Sequence, residues 1–461
     1  MKEKRQKNQM LLAFMSEEPG EARASDIEGS ETFTVADGKE GPAEPEALME
    51  EVCDEKNVAE ALKRVVANKG GPGMDGMNVQ QLPGYLARHW PAIREQLLQG
   101  TYKPQPVKRT EIAKPDGGVR KLGIPTVLDR FIQQAVLQVL QGRWDPTFSE
   151  HSYGFRPGRS AHQAVSTAQM SIKAGYGWVV DIDLEKFFDR VNHDRLMSRL
   201  ATRIKDKRML KLIRAFLNAG VLENGLIGAT HEGTPQGGPL SPLLSNIVLD
   251  ELDKELERRK AIFVRYADDC NIYVRSERAG KRVMESVKRF ITRKLKLKVN
   301  ESKSAVARPQ DRKFLSFRFL KGPEAKRCIA REAIGRFKSR ARELTGRMRG
   351  GSLKQVIGKL TVYLRGWRGY FGFCQTPWEL RDLDAWIRRR LRRGIWRQWA
   401  RPKKRYKELV KRGVHPKLAA GTVRTAHGPW RLSRSKAVSI ALPAAYFESQ
   451  GLILLEPKRN A

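Results

Sequence analysis

Apolar side chains return every three or four positions from about residue 51 onward, as in VAEALKRVVANKG, the period of a helix with one buried face. Gly70-Gly71-Pro72 then supplies a helix stop. The rhythm changes in VKRTEIAKPDGGVRKLGIPTV, where two β-prone arms flank Pro115-Asp116-Gly117-Gly118 and predict a hairpin. An apolar helix is expected over Asp129–Leu140, and YGWVVDID (176–183) reads as a buried strand. The helical period resumes over 194–219, and over 239–258 after a loop rich in Pro and Gly.

Residues 261–275 read as strand, turn and strand, 281–297 as a basic helix and 313–320 as a short strand. Beyond about 330 the pattern is helical. The sum is an α+β fold with an antiparallel hairpin near its centre, followed by a helical domain. Residues 16–48, rich in Glu, Gly, Ala, Ser and Pro, show little periodicity and are expected to form a disordered leader.

Charge narrows the partner. The chain of 461 residues has 88 Lys and Arg against 51 Asp and Glu, a formal charge of +37. Residues 1–60 hold 16 acids and 7 bases, so the remainder carries +46. Such an excess calls for a polyanion, nucleic acid ahead of membrane. Four cysteines lie far apart with no CxxC pair, which argues against a zinc module or a disulfide framework and fits a reducing cytoplasm. The apolar run Met10–Met15 is too short for a signal peptide, and no stretch of about 18 apolar residues occurs.

The candidate chemistry lies where acids interrupt apolar strands. In FVRYADDCNIYV, Asp268 and Asp269 fall at the connection between two β-prone arms. A solvated turn would account for that pair alone. In GWVVDIDLEKFFDRV, however, Asp181 and Asp183 share one face of a buried strand, and a buried strand does not accept two acids without a partner. Bringing strand and hairpin together gathers three or more carboxylates, the oxygen ligands of hard divalent cations. Two such ions about 3.5–4 Å apart serve phosphoryl and nucleotidyl transfer.

Eight motifs in order complete the picture: GMDG (73–76), KPDGGVRKLGIP (114–125), HSYGFRPGRS (151–160), VDIDLEKFFD (180–189), GTPQGGPLSPLLSNIVLDELD (233–253), FVRYADD (263–269), LKLKVNESKS (295–304) and KFLSF (313–317). The chain resembles bacterial group II intron reverse transcriptase/maturases. The resemblance implies a right-hand polymerase fold, with fingers and palm over 51–320, a thumb or maturase domain over 321–400, a basic extension over 401–461, and the leader at 1–50.

It further implies that Asp183, Asp268 and Asp269 hold the metal, Mg²⁺ or else Mn²⁺, with Asp181 behind them. Lys303 would help protonate the leaving pyrophosphate. Lys114 and Arg120 would grip the triphosphate of a dNTP, with Gln236, Gly237 and Gly238 beside the incoming nucleotide. Phe188, five positions after Asp183, would bar a ribose 2′-hydroxyl. Phe155 and Arg156 would contact the template.

In ELRDLDAWIRRRLRRGIWRQW (379–399), Leu380, Leu383, Ile387, Leu391, Ile395 and Trp399 form an inward helical stripe. Arg388, Arg389, Arg392 and Arg393 occupy the other faces and are expected to meet RNA phosphates. No CxxC pair or HNH-like cluster follows Cys374, so the resemblance is to the lineage without a C-terminal endonuclease. The implied function is RNA-directed DNA synthesis on an RNA template from a DNA primer, with intron RNA binding for splicing and retrohoming. A domesticated role in phage defence or DNA repair, or a splicing cofactor without polymerase activity, is the alternative.

Overall fold

The computed structural model describes residues 47–113, 119–223, 226–228, 232–234, 237–346 and 352–456. The expected leader falls outside the described residues as far as residue 46.

The first helices begin and end where their caps allow. Asp54 accepts the amides of Lys56 and Asn57 and starts helix Glu55–Asn68, which stops at Lys69 in the left-handed conformation. Helix Val127–Trp144 starts on Thr126, whose hydroxyl accepts the Asp129 amide. The period expected over 194–219 is cut in two, His193–Ala201 and Lys207–Leu217, because Asp206 caps the second helix.

Two four-stranded sheets order the rest. The predicted hairpin is present as β1 (Val107–Ala113) and β2 (Val119–Ile124), antiparallel with Ile112 opposite Arg120. β3 (Trp178–Ile182) is the buried strand carrying Asp181. The short pair β4 (Val221–Glu223) and β5 (Leu226–Gly228) extends the first sheet to the order β2–β1–β4–β5. β6 (Ile262–Tyr266), β7 (Asp269–Val274) and β8 (Ala305–Ala307) join β3 in a second sheet, ordered β6–β7–β3–β8. β9 (Phe317–Phe319) and β10 (Arg327–Ile329) form a separate antiparallel pair.

The chain forms two compact units. One comprises Met1–Ser160, Val180–Ile272 and Lys281–Ala305; the other comprises Ala161–Val179, Tyr273–Gly280 and Val306–Ala461. This differs from the collinear cuts expected at 320 and 400. In the second unit the Gln169 side-chain amide donates to the Glu324 and Ala325 carbonyls and to Gln375 Oε1, at 2.9, 3.1 and 2.7 Å, so an early helix belongs with late sequence.

The residues after 400 belong there too. Asp384 accepts the amides of Leu455 and Glu456 at 3.0 and 3.2 Å, and Thr361 donates to the Gly451 carbonyl at 2.9 Å. The predicted stripe from Leu380 to Trp399 is buried. Among the described residues no helix is long and apolar enough to cross a membrane.

Candidate active site

The two neighbouring aspartates owe their position to a buried arginine. Ala267, at the tip between β6 and β7, adopts a left-handed backbone (φ +56°), and Asp269 opens β7. Arg265 Nη1 donates to the Ala267 carbonyl at 2.9 Å and to Asn246 Oδ1 at 3.0 Å. Its Nε and Nη2 grip both oxygens of Asp253 at 2.7 and 2.6 Å, and Nη2 also reaches Ser152 Oγ at 2.7 Å. Arg265 and Asp253 are both 0% exposed. A buried ion pair is tolerable only when its remaining donors are filled, and here they are.

The YGFRPG loop is fastened to the same turn. The amides of Tyr153 and Arg265 bond the carbonyls of Arg265 and His151, each at 2.9 Å. Asn246 Nδ2 donates to the Gly154 carbonyl at 2.9 Å. A methyl group at Gly154 would collide with the backbone of Ala267, so this approach requires glycine.

β3 lies beside β7 and supplies the other acids. Val180 and Ile182 are buried while Asp181 and Asp183 are half-buried, the alternation read from the sequence. Asp183, just past the strand, is held through its backbone: its amide donates to Ser304 Oγ at 3.0 Å, and its carbonyl accepts the Asn300 amide at 2.8 Å. That clasp draws the NESKS segment, with Lys303, toward the acids.

Asp269 keeps an exposed edge. Protein packed around its carboxyl, then the Asp268, Asp181 and Asp183 carboxylates, push it up to about 7, against the pull of Lys303. Four carboxylates therefore share one field, with oxygen as the only donor element. Among the described residues, no three acids, histidines or cysteines are already closed around a point as a metal-ligand set. The donor chemistry fits a hard divalent cation, toward which the carboxylates would have to draw together.

A cavity of about 470 Å³ lies within the same unit. Phe155, Phe188, Gly237 and Gly238 line it together with Leu122 and Arg130. Gly237 has φ +143°, and a side chain there would strike the Gly123 carbonyl at the base of the finger hairpin. The Thr234 amide donates to the Phe188 carbonyl at 2.6 Å, tying the Gly/Pro loop to the aromatic expected to act on the sugar.

Residues 112–319 match the family described as reverse transcriptase (RNA-dependent DNA polymerase), and 334–413 match the group II intron, maturase-specific domain. Protein YkfC of Escherichia coli (strain K12) is 33% identical over 304 residues, 57% of this chain and 80% of its own length. The group II intron-encoded protein LtrA of Lactococcus lactis subsp. cremoris is 42% identical over 206 residues, 44% of this chain. This chain belongs to the group II intron-encoded reverse transcriptase/maturases. It spans 34% of LtrA's length. Among solved structures, a partial Cas6-RT-Cas1–Cas2 complex is 26% identical, covering 54% of this chain and 43% of that chain with a TM-score of 0.35.

As a member of this family the chain is an RNA-directed DNA polymerase by class, and its reverse transcriptase domain is of a kind that works with divalent metal ions. Not every expected contact of the reverse transcriptase/maturase has a place in the structure. Lys114 and Gln236 lie outside the described residues, as does the side chain of Arg120. Phe155 has φ +60°, is 46% exposed and lines the cavity.

Arg156 departs from its expected role at the template. It is buried, donating to Asp145 Oδ1 at 2.9 Å and to the Ser149, Ser152 and Asp145 carbonyls at 2.6, 3.0 and 2.8 Å. With its donors directed inward, it braces the loop that presents Phe155. Two arginines of the maturase helix Pro377–Gln398 also turn inward. Arg389 donates to the Trp430 carbonyl at 3.2 Å and Arg392 to the Leu442 carbonyl at 2.9 Å. Arg388 and Arg393 are half-buried.

Two functional features escaped sequence reading. One is the Arg265–Asp253 pair; a lone Arg inside the apolar FVRYA was its signal. The other is Arg130, which lines the cavity, donates to the Gly71 carbonyl at 2.6 Å, and has a buried Nε with no hydrogen-bond partner among the described residues. A single cation in the apolar VLDRFIQQAV was its only trace.

Proposed function

We propose that this reverse transcriptase/maturase copies RNA into DNA at the turn bearing Asp268 and Asp269, and binds intron RNA through its second unit to assist splicing and retrohoming. The observation that carries the reading is the shared field of Asp181, Asp183, Asp268 and Asp269 on adjoining strands. Asp183, Asp268 and Asp269 would hold Mg²⁺, which when bound would lower the pKa of the attacking hydroxyl and offset charge on the transferring phosphoryl group.

The remaining roles belong to the chain. A dNTP enters the 470 Å³ cavity with its sugar against Phe188, whose ring excludes a 2′-hydroxyl. Gly237 and Gly238 line the cavity, and Gln236 is assigned to the incoming nucleotide. Lys114, Arg120 and Arg130 hold the triphosphate oxygens by charge-assisted hydrogen bonds. Lys303, beside the acids, gives its proton to the departing pyrophosphate. RNA template, DNA primer and dNTPs are the reactants, in the cytoplasm.

Primer extension tests this directly, with purified protein, an RNA template, a DNA primer, dNTPs and Mg²⁺. The wild type extends, Asp183→Asn and Asp268→Asn extend about 10³-fold more slowly, and Phe188→Ala incorporates ribonucleotides. Absence of extension by the wild type with both Mg²⁺ and Mn²⁺ sinks the polymerase reading.

A further inference from the structure

The second unit contains a smaller cavity of about 270 Å³, lined by Arg342, Trp386, Arg390, Arg393 and Trp430. Three helices contribute: Arg331–Gly346, Pro377–Gln398 and the single turn Pro429–Leu432. Its composition is unusual for a packing defect, being three guanidinium groups, two indoles and no acid.

None of these arginines forms an ion pair with a carboxylate among the described residues. Arg390 is fixed by hydrogen bonds that do not cancel its charge. Arg390 Nη2 and Nε donate to Thr345 Oγ1 at 2.9 and 3.2 Å, and the Thr345 hydroxyl donates to the Ala341 carbonyl at 2.6 Å. The Arg342 and Arg390 guanidinium carbons stand 5.6 and 5.8 Å from the centre of the Trp386 ring, and Lys338 Nζ stands at 6.0 Å. Arg389 covers Trp430 at 3.8 Å while donating to its carbonyl. Burial, and then Arg393, Arg342 and Arg397, loosen the hold of Arg390 on its proton. So many cations around one hollow call for an anion, and the indoles call for a flat ring.

A single nucleotide satisfies both. The volume lies just under the roughly 300 Å³ of the smallest drug-sized sites, room for one nucleotide and none for a duplex end. We propose that this cavity receives one extruded nucleotide of a folded RNA, its base against Trp386 and Trp430 and its phosphate among Arg342, Arg390 and Arg393. The proposal rests on the RNA-binding reading above and adds to it a site that reads an unpaired position. Recognition of folded RNA through a splayed base differs from backbone contact, because it fixes register along the molecule.

The test uses RNA hairpins of one stem sequence: fully paired, carrying one bulged adenosine, and carrying an abasic bulge. Full-length wild type is expected to bind the adenosine bulge about tenfold more tightly than the other two, the factor of one stacked base. In Trp386→Ala and Trp430→Ala that ratio falls toward one, and in Trp386→Phe it is largely kept. A 4-thiouridine at the bulge crosslinks the wild type within the peptides carrying Trp386 or Trp430, a readout that does not depend on any variant folding.

Equal binding of paired and bulged hairpins by wild type, survival of the ratio in the double alanine variant, or crosslinks confined to other peptides would each overturn the proposal. Adenosine monophosphate bound as tightly as the bulged hairpin would assign the cavity to a free nucleotide and overturn it too. Failure to bind any of the hairpins would bring down the RNA-binding reading itself, and the cavity's role with it.

Discussion

Two regions crowd like charges together and manage them by the same means. Around the β6–β7 turn the charges are carboxylates; along helix Pro377–Gln398 they are guanidinium groups. In the turn, Arg265 holds the Ala267 carbonyl while its charge is spent on Asp253. The backbone is fixed, and the Asp268, Asp181 and Asp183 carboxylates crowd Asp269 against the pull of Lys303. On the helix, Arg389 and Arg392 donate to the carbonyls of Trp430 and Leu442, neutral acceptors that locate a cation without neutralising it. A rigid scaffold that gathers charge of one sign suits a ligand of the other. The acids suit cations, and the arginines suit phosphate.

If that comparison holds, the two regions can be broken separately. The largest effect is expected from Asp268→Asn, which should lower single-turnover primer extension by about 10³-fold, the several kcal/mol a metal-held transition state is worth. RNA affinity by filter binding should remain within about twofold. A joint collapse of both would merge the two regions into one.

Next comes Arg265→Met, which strands Asp253 in the core and should cost about 3–5 kcal/mol in urea unfolding. Adding Asp253→Leu should restore most of that stability, since the pair can be replaced together more safely than split.

Arg156→Ala should cost about 1–3 kcal/mol by leaving buried acceptors without donors, and should leave the salt dependence of RNA binding unchanged. A flattened salt slope would return Arg156 to the template. Gly154→Ala sharpens the same point from the backbone side: crowding Ala267 should cost about 1–3 kcal/mol and slow extension more than it weakens RNA binding. Smallest is Arg393→Ala, which should reduce the slope of log affinity against log salt by about one unit. No change in slope would remove Arg393 from the RNA surface.

Much of the fold was legible because its signals are local. Alternation placed Asp181 and Asp183 on one face, and the interrupted β-prone run marked the β6–β7 hairpin; both elements stand within a residue or two of their expected positions. The apolar stripe from Leu380 to Trp399 was equally plain. Motif order carried the family and, through the resemblance, the expectation of which residues form the site. Arg156 was misjudged because one arginine reads alike whether it faces phosphate or a ring of carbonyls. Its burial depends on Asp145 and Ser149, and sequence spacing does not say which side the loop will fold toward.

The sequence by itself determined the kinds of element, the class of enzyme and which acids interrupt apolar strands, because periodicity and short motifs depend on near neighbours. Only the tertiary structure decided that Arg265 would span from Asp253 to Ser152 and hold the turn. It alone set Trp386 and Trp430 around one hollow and kept residues after 400 within the second unit. Those outcomes depend on side chains from 12 to 113 positions apart meeting in space, and such a pairing leaves no periodic mark on either partner.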